Sequence, residues 1–495
     1  MRASRTALVV PLILGGAVAL PLTAQTGEPE PFVVRHAALA IALDYPAQSL
    51  AGTMTLDLEN WTNAPASRVS LLLNRLMEVS RVTDTSGAML GFTQDVVRFR
   101  DDPMRQVTQA IVDIGRPIAP GARTSIRVAY AGNLVGYTEI GWLYVKDRID
   151  TTLSIIRADA LAFPELGGVS DEANRRRPRP DFTYDASVRV PAKYLVATGG
   201  NCTRVVNADG TATWSYTSQG ASPFLNIVIA RFDTLNTNGV RVFFSPEDSL
   251  GARRLMRATQ SALVMLGKWF GPLHSQPSLT VTEIPDGWGS QADVVGGIIQ
   301  TASAFRDAGR LGELYHELSH LWNVTDRESP SPRWNEGLAM FMQYLLQEKV
   351  DHWTQRADVT SRLLDRVKRS VATDSTLQHV PFIEYGSAKM TDRSYSVGQL
   401  MFATLYDLVG QKEFNRIVGG YYQRFSSGGR TRDFIEFARH SSTYDLGRFF
   451  DDWMLTTRWT ALVANATTPA ALVARYRTHV TGRSAMTPDT SYSMM

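Results

Sequence analysis

The stretch LGELYHELSHLWNV, from Leu311 to Val324, places two histidines four residues apart, with a glutamate directly after the first. On an α-helix, residues at this spacing lie about 40° apart around the axis, so His316 and His320 would reach a single ion from one face. Neutral imidazoles are good zinc ligands, and Glu317 would lean toward the water on the ion as a general base. The alternative is an ordinary amphipathic helix without metal, and a third ligand distinguishes the two.

The segment SPSPRWNEGLAMFMQYLLQEK supplies that third ligand, because Glu336 stands at the start of an apolar helical run that follows two prolines. A His-His-Glu set leaves the fourth position of zinc open for water, as a catalytic site requires. We therefore predict one Zn²⁺ held by His316, His320 and Glu336. Glu317 would take the proton of the attacking water and deliver it to the leaving amine.

These two motifs, HELSHLW and RWNEGLAMF, resemble those of the gluzincin zinc metallopeptidases, in particular the aminopeptidase N and leukotriene hydrolase family. The stretch HLWN also resembles the glycyl aminopeptidases. The resemblance implies hydrolysis of peptide bonds by an aminopeptidase-like enzyme that acts on peptides. It also implies that Tyr395 donates a hydrogen bond to the oxyanion of the intermediate. Without the resemblance, Tyr395 reads as a half-buried aromatic near a helix start.

One motif departs from that family. Where its members carry Gly-x-Met-Glu-Asn, this chain has GGIIQ, so Ile299 stands where a glutamate would grip the free amine of a substrate. The backbone of Gly296 and Gly297 is expected to run alongside the peptide as an edge strand. The carboxylates that remain as substitutes for the amine anchor are Glu165, Glu283 and Asp293.

The departure leaves several functions open. An endopeptidase or oligopeptidase is the alternative within the peptidases, since the amine-anchoring glutamate is missing. A zinc-bearing module that binds peptides without cleaving them is a second alternative, and a hydrolase of non-peptide substrates is a third. A peptide is the expected partner of an aminopeptidase, of an endopeptidase and of a peptide-binding module. The oligomeric state stays open.

The chain of 495 residues is long enough for two domains or three, and 44% hydrophobic with 20% charged residues is typical of a globular protein. Alternating, β-branched runs predict an all-β saddle or sandwich domain over residues 25–235. Helical spacing predicts a mainly helical domain over 236–460, and the resemblance implies that this is a thermolysin-like zinc metallopeptidase domain. A tail over 461–495 follows. The expected class is thus multidomain α+β. The predicted helices around the site are Leu311–Asn323, Asn335–Glu348, Val397–Leu408 and Lys412–Arg424.

The N-terminus predicts export. Arg2 and Arg5 precede a charge-free, largely apolar run that ends in small residues near Ala24, which is typical of a signal peptide over residues 1–24. We expect a periplasmic or secreted protein without a stable membrane span after cleavage, the alternative being an uncleaved anchor. A single cysteine, Cys202, excludes an internal disulfide. A formal charge of +3 does not favour nucleic acid, and the basic run over 175–180 predicts a solvated loop.

Overall fold

The computed structural model describes residues 28–136, 145–274, 278–293, 296–352 and 355–477. The expected signal peptide and the last dozen residues lie outside these ranges. Within them, no helix combines the length and the apolar character that a membrane crossing needs.

The strands follow the runs that alternate apolar and polar residues. In β2, for example, Met54, Leu56 and Leu58 are buried while Thr55 and Asp57 are partly exposed, as a strand with one face on a core requires. The strands are β1 (Phe32–Asp44), β2 (Ser49–Asn60), β3 (Ala66–Asn74), β4 (Met77–Asp84), β5 (Phe92–Arg98), β6 (Gln106–Ile118), β7 (Arg123–Asn133), β8 (Leu153–Arg157), β9 (Glu165–Leu166), β10 (Thr183–Pro191), β11 (Leu195–Ala197), β12 (Asn201–Val206), β13 (Thr211–Thr217), β14 (Asn226–Ala230), β15 (Asp233–Thr237), β16 (Val240–Phe244), β17 (Leu279–Ile284), β18 (Gln291–Asp293) and β19 (Gly297–Thr301).

Two sheets build the N-terminal part. A seven-stranded sheet has the order β12-β13-β10-β1-β2-β7-β4, and a four-stranded sheet has the order β5-β6-β3-β9. Their apolar faces share one core, to which Leu39 and Met54 contribute from the first sheet and Leu71 and Val112 from the second. A smaller sheet, β11-β14-β8, completes this region. The expected N-terminal β-sheet architecture is confirmed.

Helices dominate the C-terminal part. They are α1 (Asp171–Arg176, still in the β region), α2 (Ser249–Phe270), α3 (Ala302–Arg306), α4 (Gly312–Ser319), α5 (Trp334–Leu346), α6 (Arg356–Thr373), α7 (Thr391–Arg424), α8 (Thr431–Ser441), α9 (Leu446–Phe450), α10 (Arg458–Asn465) and α11 (Pro469–Ala474). They pack with the sheet β15-β16-β17-β19-β18 around a second core. The expected mainly helical second half is confirmed.

Some element boundaries differ from those predicted. The two helices predicted over Val397–Leu408 and Lys412–Arg424 are joined in α7, which begins earlier, at Thr391, and breaks its helical geometry at Gly410 (φ 77°). The predicted domain boundary after residue 235 falls inside β15. This strand pairs with β16 and so belongs to the five-stranded sheet of the C-terminal part. Part of the predicted tail is also structural, because Val463 and Leu472 of α10 and α11 are buried in the helical core.

The basic run over 175–180 is not wholly a solvated loop. It begins inside α1, and Arg177 is buried, with its guanidinium donating to the carbonyl oxygen of Leu166 at 3.1 Å. A buried guanidinium needs such partners, which a sequence run alone does not reveal.

The strand that carries Gly297 is not at the sheet edge, contrary to the expectation for Gly296 and Gly297. Gly297 pairs with Thr280 of β17 on one side and with Asp293 of β18 on the other. The carbonyl oxygen of Gly296 accepts from the Thr280 N–H at 2.6 Å. Strand β18 lies beyond β19 and forms the edge of the sheet.

Candidate metal centre

Three side chains converge between α4 and α5. The Nε2 atoms of His316 and His320 lie 3.2 Å apart. The Oε2 atom of Glu336 lies 3.3 Å from the first nitrogen and 3.5 Å from the second. The structure thus brings together all three residues predicted to hold a metal, in a nearly equilateral triangle of ligand atoms.

This triangle has the dimensions of a zinc site. Bonds of 2.0–2.2 Å at tetrahedral angles separate ligand atoms by roughly 3.3–3.5 Å. The two imidazoles and the carboxylate are also largely buried, with His316 9% and Glu336 7% exposed. Two imidazole nitrogens facing each other at this distance need a cation or a shared proton between them. The donor set therefore fits Zn²⁺.

Helix spacing places the histidines, and packing places the glutamate. His316 lies within α4 and His320 at its C-terminal cap, so the i, i+4 pair remains on one face. The other face of α4 buries Leu314 and Leu318 in the helical core. Helix α5 begins at Trp334, two residues before Glu336, and its apolar residues Phe341, Met342 and Leu345 anchor it in the same core.

Glu317 lies beside the triangle and is 8% exposed. Burial raises the pKa of Glu317 to about 7, although His316 and a hydrogen bond from the Ala292 backbone N–H act in the opposite direction. A carboxylate with a pKa near neutrality is suited to accept and return a proton at physiological pH. Because Ala292 belongs to β18, the edge strand is held directly against this group.

The electrostatics of Glu336 are different. Burial opposes its charged form, but His320, His316 and Arg333 outweigh burial and hold the pKa of Glu336 well below its usual range. The guanidinium of Arg333 is ion-paired with Oε1, the oxygen that faces away from the histidines. Glu336 is therefore a permanent anion whose two oxygens have different partners.

Tyr395 lies at the same site, on α7. Its ring is nearly parallel to that of His316, with the ring centroids 6.3 Å apart. Burial and the nearby carboxylate of Glu336 raise the pKa of Tyr395 above its ordinary value. The phenol thus keeps its proton at neutral pH and remains a hydrogen-bond donor.

The outer nitrogens of the two histidines have different surroundings. The side-chain amide of Asn323 lies 2.6 Å from Nδ1 of His320. The atom placed there is the amide nitrogen, and turning the amide over would bring its oxygen to the ring. His320 would then donate from Nδ1 and offer Nε2 to the ion, which is the usual support for a metal-bound histidine. Nδ1 of His316 is buried and has no hydrogen-bond partner within the described residues.

The carboxylates considered as amine anchors have other roles. Glu283 is 3% exposed and accepts from the Ser245 backbone N–H at 2.9 Å. Asp293 is 2% exposed and accepts from the Gly297 N–H at 3.1 Å. Glu165 pairs in β9 with Leu72 of β3, and burial raises the pKa of Glu165 to about 7 although Arg177 lies near it. Ile299 packs with Phe243 and Trp288 in an apolar cluster, so it does not face the metal centre.

The residues that sequence reasoning missed are those that contact the ligands and the base: Ala292, Asn323 and Arg333. Asn323 had a signal in the HLWN stretch, and Arg333 had one in its i, i+3 spacing to Glu336. The contact of Ala292 with Glu317 depends on the sheet order and had no local signal.

Residues 304–453 match the Peptidase family M1 domain. This range contains both zinc motifs and Tyr395. The match confirms the resemblance to the aminopeptidase N type of gluzincin.

Solved structures with the same fold include M1 zinc metallopeptidases. One from Deinococcus radiodurans, a mutant form bound to a Tyr-Ser-Ala substrate, aligns with a TM-score of 0.61 at 20% identity, covering 86% of this chain and 94% of that one. Its counterpart described without mutation or substrate aligns with a TM-score of 0.60 at 20% identity, over 86% and 95%. A two-domain M1 zinc metallopeptidase mutant bound to L-arginine gives 0.56 at 19% identity, over 91% and 95%. At these identities the likeness shows the shared fold.

Proposed function

We propose that the chain is a zinc-dependent aminopeptidase acting on short peptides, since residues 304–453 match the Peptidase family M1 domain. The observation that carries the proposal is the triangle of His316, His320 and Glu336 with sides of 3.2–3.5 Å, beside a buried glutamate. Peptides are the substrates that the family implies.

Each side chain has one role in this proposal. His316, His320 and Glu336 hold the ion, and bound zinc supplies a Lewis acid and lowers the pKa of water. Glu317 accepts the proton of the attacking water, since burial raises the pKa of Glu317 to about 7, and passes that proton to the leaving amine. The Tyr395 hydroxyl donates to the oxygen of the carbonyl group as it becomes negative.

The substrate would lie along β18 rather than along Gly296 and Gly297. Strand β18 is the edge of its sheet, and the N–H of Ala292 donates to Glu317. An extended peptide that pairs with this outer edge would bring its scissile bond next to Glu317. The backbone of β18 would thus orient the peptide. The ion held by the zinc ligands would position its carbonyl group.

Cleavage from the amino end is the finer part of the proposal. Support comes from the solved relatives, one of which is bound to the tripeptide Tyr-Ser-Ala and another to a free amino acid, L-arginine. The main reason for an endopeptidase was Ile299 at the expected anchor position. That reason is weakened, because Ile299 is 4% exposed inside an apolar cluster and does not line the site.

The test compares an aminoacyl dye that has a free amine with its N-acetylated analogue, with zinc measured on the same sample. We expect one zinc per chain and a large preference for the free amine. Equal rates on both substrates would indicate an endopeptidase. Bound zinc without turnover across a broad peptide library would indicate a peptide-binding module, and turnover confined to esters or epoxides would indicate a non-peptide hydrolase.

We also propose that the protein is exported to the periplasm or secreted. The proposal depends on the apolar N-terminal run after Arg2 and Arg5 and on the small residues near Ala24. N-terminal sequencing of protein recovered outside the cytoplasm would test it, with a new terminus after Ala24 expected. A membrane-bound chain that keeps its first residues would instead indicate an uncleaved anchor.

A further inference from the structure

Arg333 contacts a metal ligand without being one. Its guanidinium is ion-paired with Oε1 of Glu336, while Oε2 of the same carboxylate faces the two histidines. The side chain of Arg333 is 47% exposed and that of Glu336 is 9% exposed. The ion pair therefore lies at the border between the buried site and solvent.

The backbone holds Arg333 in place. Arg333 caps the start of α5 in a left-handed conformation (φ 54°) that non-glycine residues rarely adopt. Its N–H donates to the Ser331 hydroxyl at 3.0 Å, and the preceding carbonyl group, of Pro332, accepts from Ser394 of α7 at 2.7 Å. The guanidinium carbon also lies 6.0 Å from the centre of the Tyr395 ring.

We propose that Arg333 is a positioning residue that engages the outer oxygen of Glu336, so that the carboxylate binds zinc through Oε2 alone. A carboxylate can bind a metal through one oxygen or two, and a guanidinium N–H that donates to Oε1 favours the first mode. One-oxygen binding preserves an open position for water and substrate. The inference rests on the proposed role of Glu336 as a ligand.

An opposite effect must be weighed. A cation near a metal ligand repels Zn²⁺, so removing Arg333 would strengthen zinc binding if charge alone mattered. The guanidinium is about half exposed, and water screens the charge of such a group. The directional hydrogen bond to Oε1 is lost in full, and partners of metal ligands typically contribute about 10- to 100-fold in metal affinity. We therefore expect positioning to dominate.

The experiment measures zinc affinity by competition with a chromophoric chelator, which does not depend on turnover. Arg333→Gln and Arg333→Met should weaken zinc binding about tenfold or more. Arg333→Lys should fall between these variants and the parent chain, because lysine keeps the charge without the planar fork. All three substitutions meet the same backbone strain at this position.

A second readout reports the coordination directly. In the cobalt-substituted protein, a change from four to five ligands weakens the visible absorption bands. Arg333→Gln should show this weakening, since the released carboxylate can offer both oxygens to the ion. A residue that merely stabilised the fold would not change these bands.

Arg306→Gln is the matched control. Arg306 has a 54% exposed side chain paired with Asp248, which is 10% exposed, and it has no described contact with the metal centre. Its zinc affinity and cobalt spectrum should equal those of the parent chain. Unchanged or tighter zinc binding in both neutral Arg333 variants, with an unchanged cobalt spectrum, would overturn the inference.

Glu336→Gln separates this inference from the proposed function. If Glu336→Gln loses zinc affinity while both neutral Arg333 variants keep it, Glu336 is a ligand and the positioning role is wrong. If Glu336→Gln also binds zinc like the parent chain, the proposed ligand set itself is wrong. Weakened zinc binding both in Glu336→Gln and in the two neutral Arg333 variants supports the two proposals together.

Discussion

The two sides of the metal centre differ in how their residues are brought into place. On the helical side, α4 and α5 carry the three candidate ligands, and the spacing of His316 and His320 within one helix already places them together. On the strand side, β18 reaches Glu317 only because it pairs at the end of a five-stranded sheet. The first arrangement is local in sequence, whereas the second depends on contacts between distant segments.

This difference shows that a short sequence motif can predict the metal ligands of an active site but not its substrate contacts. Metal ligands on a helix obey a geometry of a few residues, so their types and spacing carry information. Substrate contacts on a sheet edge depend on strand order and register, and a one-residue shift in register moves every side chain of a strand to the other face. The helical side should therefore control metal and chemistry, and the strand side should control substrate binding and sheet stability.

Removal of zinc should have the largest effect. Treatment with a strong chelator should abolish peptidase activity and lower the melting temperature, because an ion bound only by the folded state stabilises that state. Addition of Zn²⁺ should restore both quantities. Full activity in a preparation shown to be free of metal would contradict the assignment of the helical side to chemistry.

Glu317→Gln should come next, with kcat lower by about a thousandfold. Glutamine keeps the shape of the side chain but cannot accept the proton of water. Zinc content, measured on the same sample, should stay at the level of the parent chain because Glu317 is not one of the three converging ligands. A variant that retained parental kcat would show that another group acts as the base.

Tyr395→Phe should reduce kcat by about a hundredfold while changing KM little. The substitution removes only the hydroxyl, whose hydrogen bond would strengthen as the carbonyl oxygen gains charge. Steady-state kinetics on one aminoacyl dye would measure both constants. A change confined to KM would instead place Tyr395 in ground-state binding.

Gly297→Ala tests the strand side. A Cβ at this position would lie 2.8 Å from Oδ2 of Asp293 and 3.1 Å from the backbone nitrogen of Gly199, so neighbours must move. We expect the free energy of unfolding to fall by about 1–3 kcal/mol without a change in KM. Gly267→Ala is the control, since its Cβ would meet no atom within 4 Å. A higher KM at unchanged stability would indicate that Gly297 contacts the substrate, as its sequence motif predicted.

The smallest effect is expected from Glu283→Gln, as a change in how stability depends on pH. Burial raises the pKa of Glu283 from 4.5 to about 8, so the folded protein keeps a proton that the unfolded chain releases. The stability contribution of that proton is complete below about pH 4.5 and is lost as pH rises toward 8. Denaturant titrations at several pH values should show that the free energy of unfolding falls less steeply with rising pH in the variant than in the parent chain. A raised KM in Glu283→Gln would make this residue an amine anchor after all.

Much of the fold and of the metal site could be predicted from the sequence, because both depend on short-range patterns. The alternation of Met54, Leu56 and Leu58 predicts a strand with one buried face, and the HELSH spacing predicts a shared ligand face on α4. In contrast, the interior position of Gly297 requires pairing on both sides, with Thr280, seventeen positions earlier in the chain, and with Asp293 of β18. The early start of α7 is compatible with the local sequence, since no Gly or Pro separates Thr391 from Val397.

The crossing of α5 and α7 connects the two ends of the proposed chemistry. Gly337, directly after Glu336, meets Gly398, three residues after Tyr395, so closely that a Cβ on Gly337 would lie 2.5 Å from the Gly398 Cα. The distance between these helices is set by main chain against main chain, not by side-chain volume. Glu336 and Tyr395 are thereby held by two helices in direct backbone contact. Core substitutions elsewhere can therefore repack the domain without changing the distance between these two side chains.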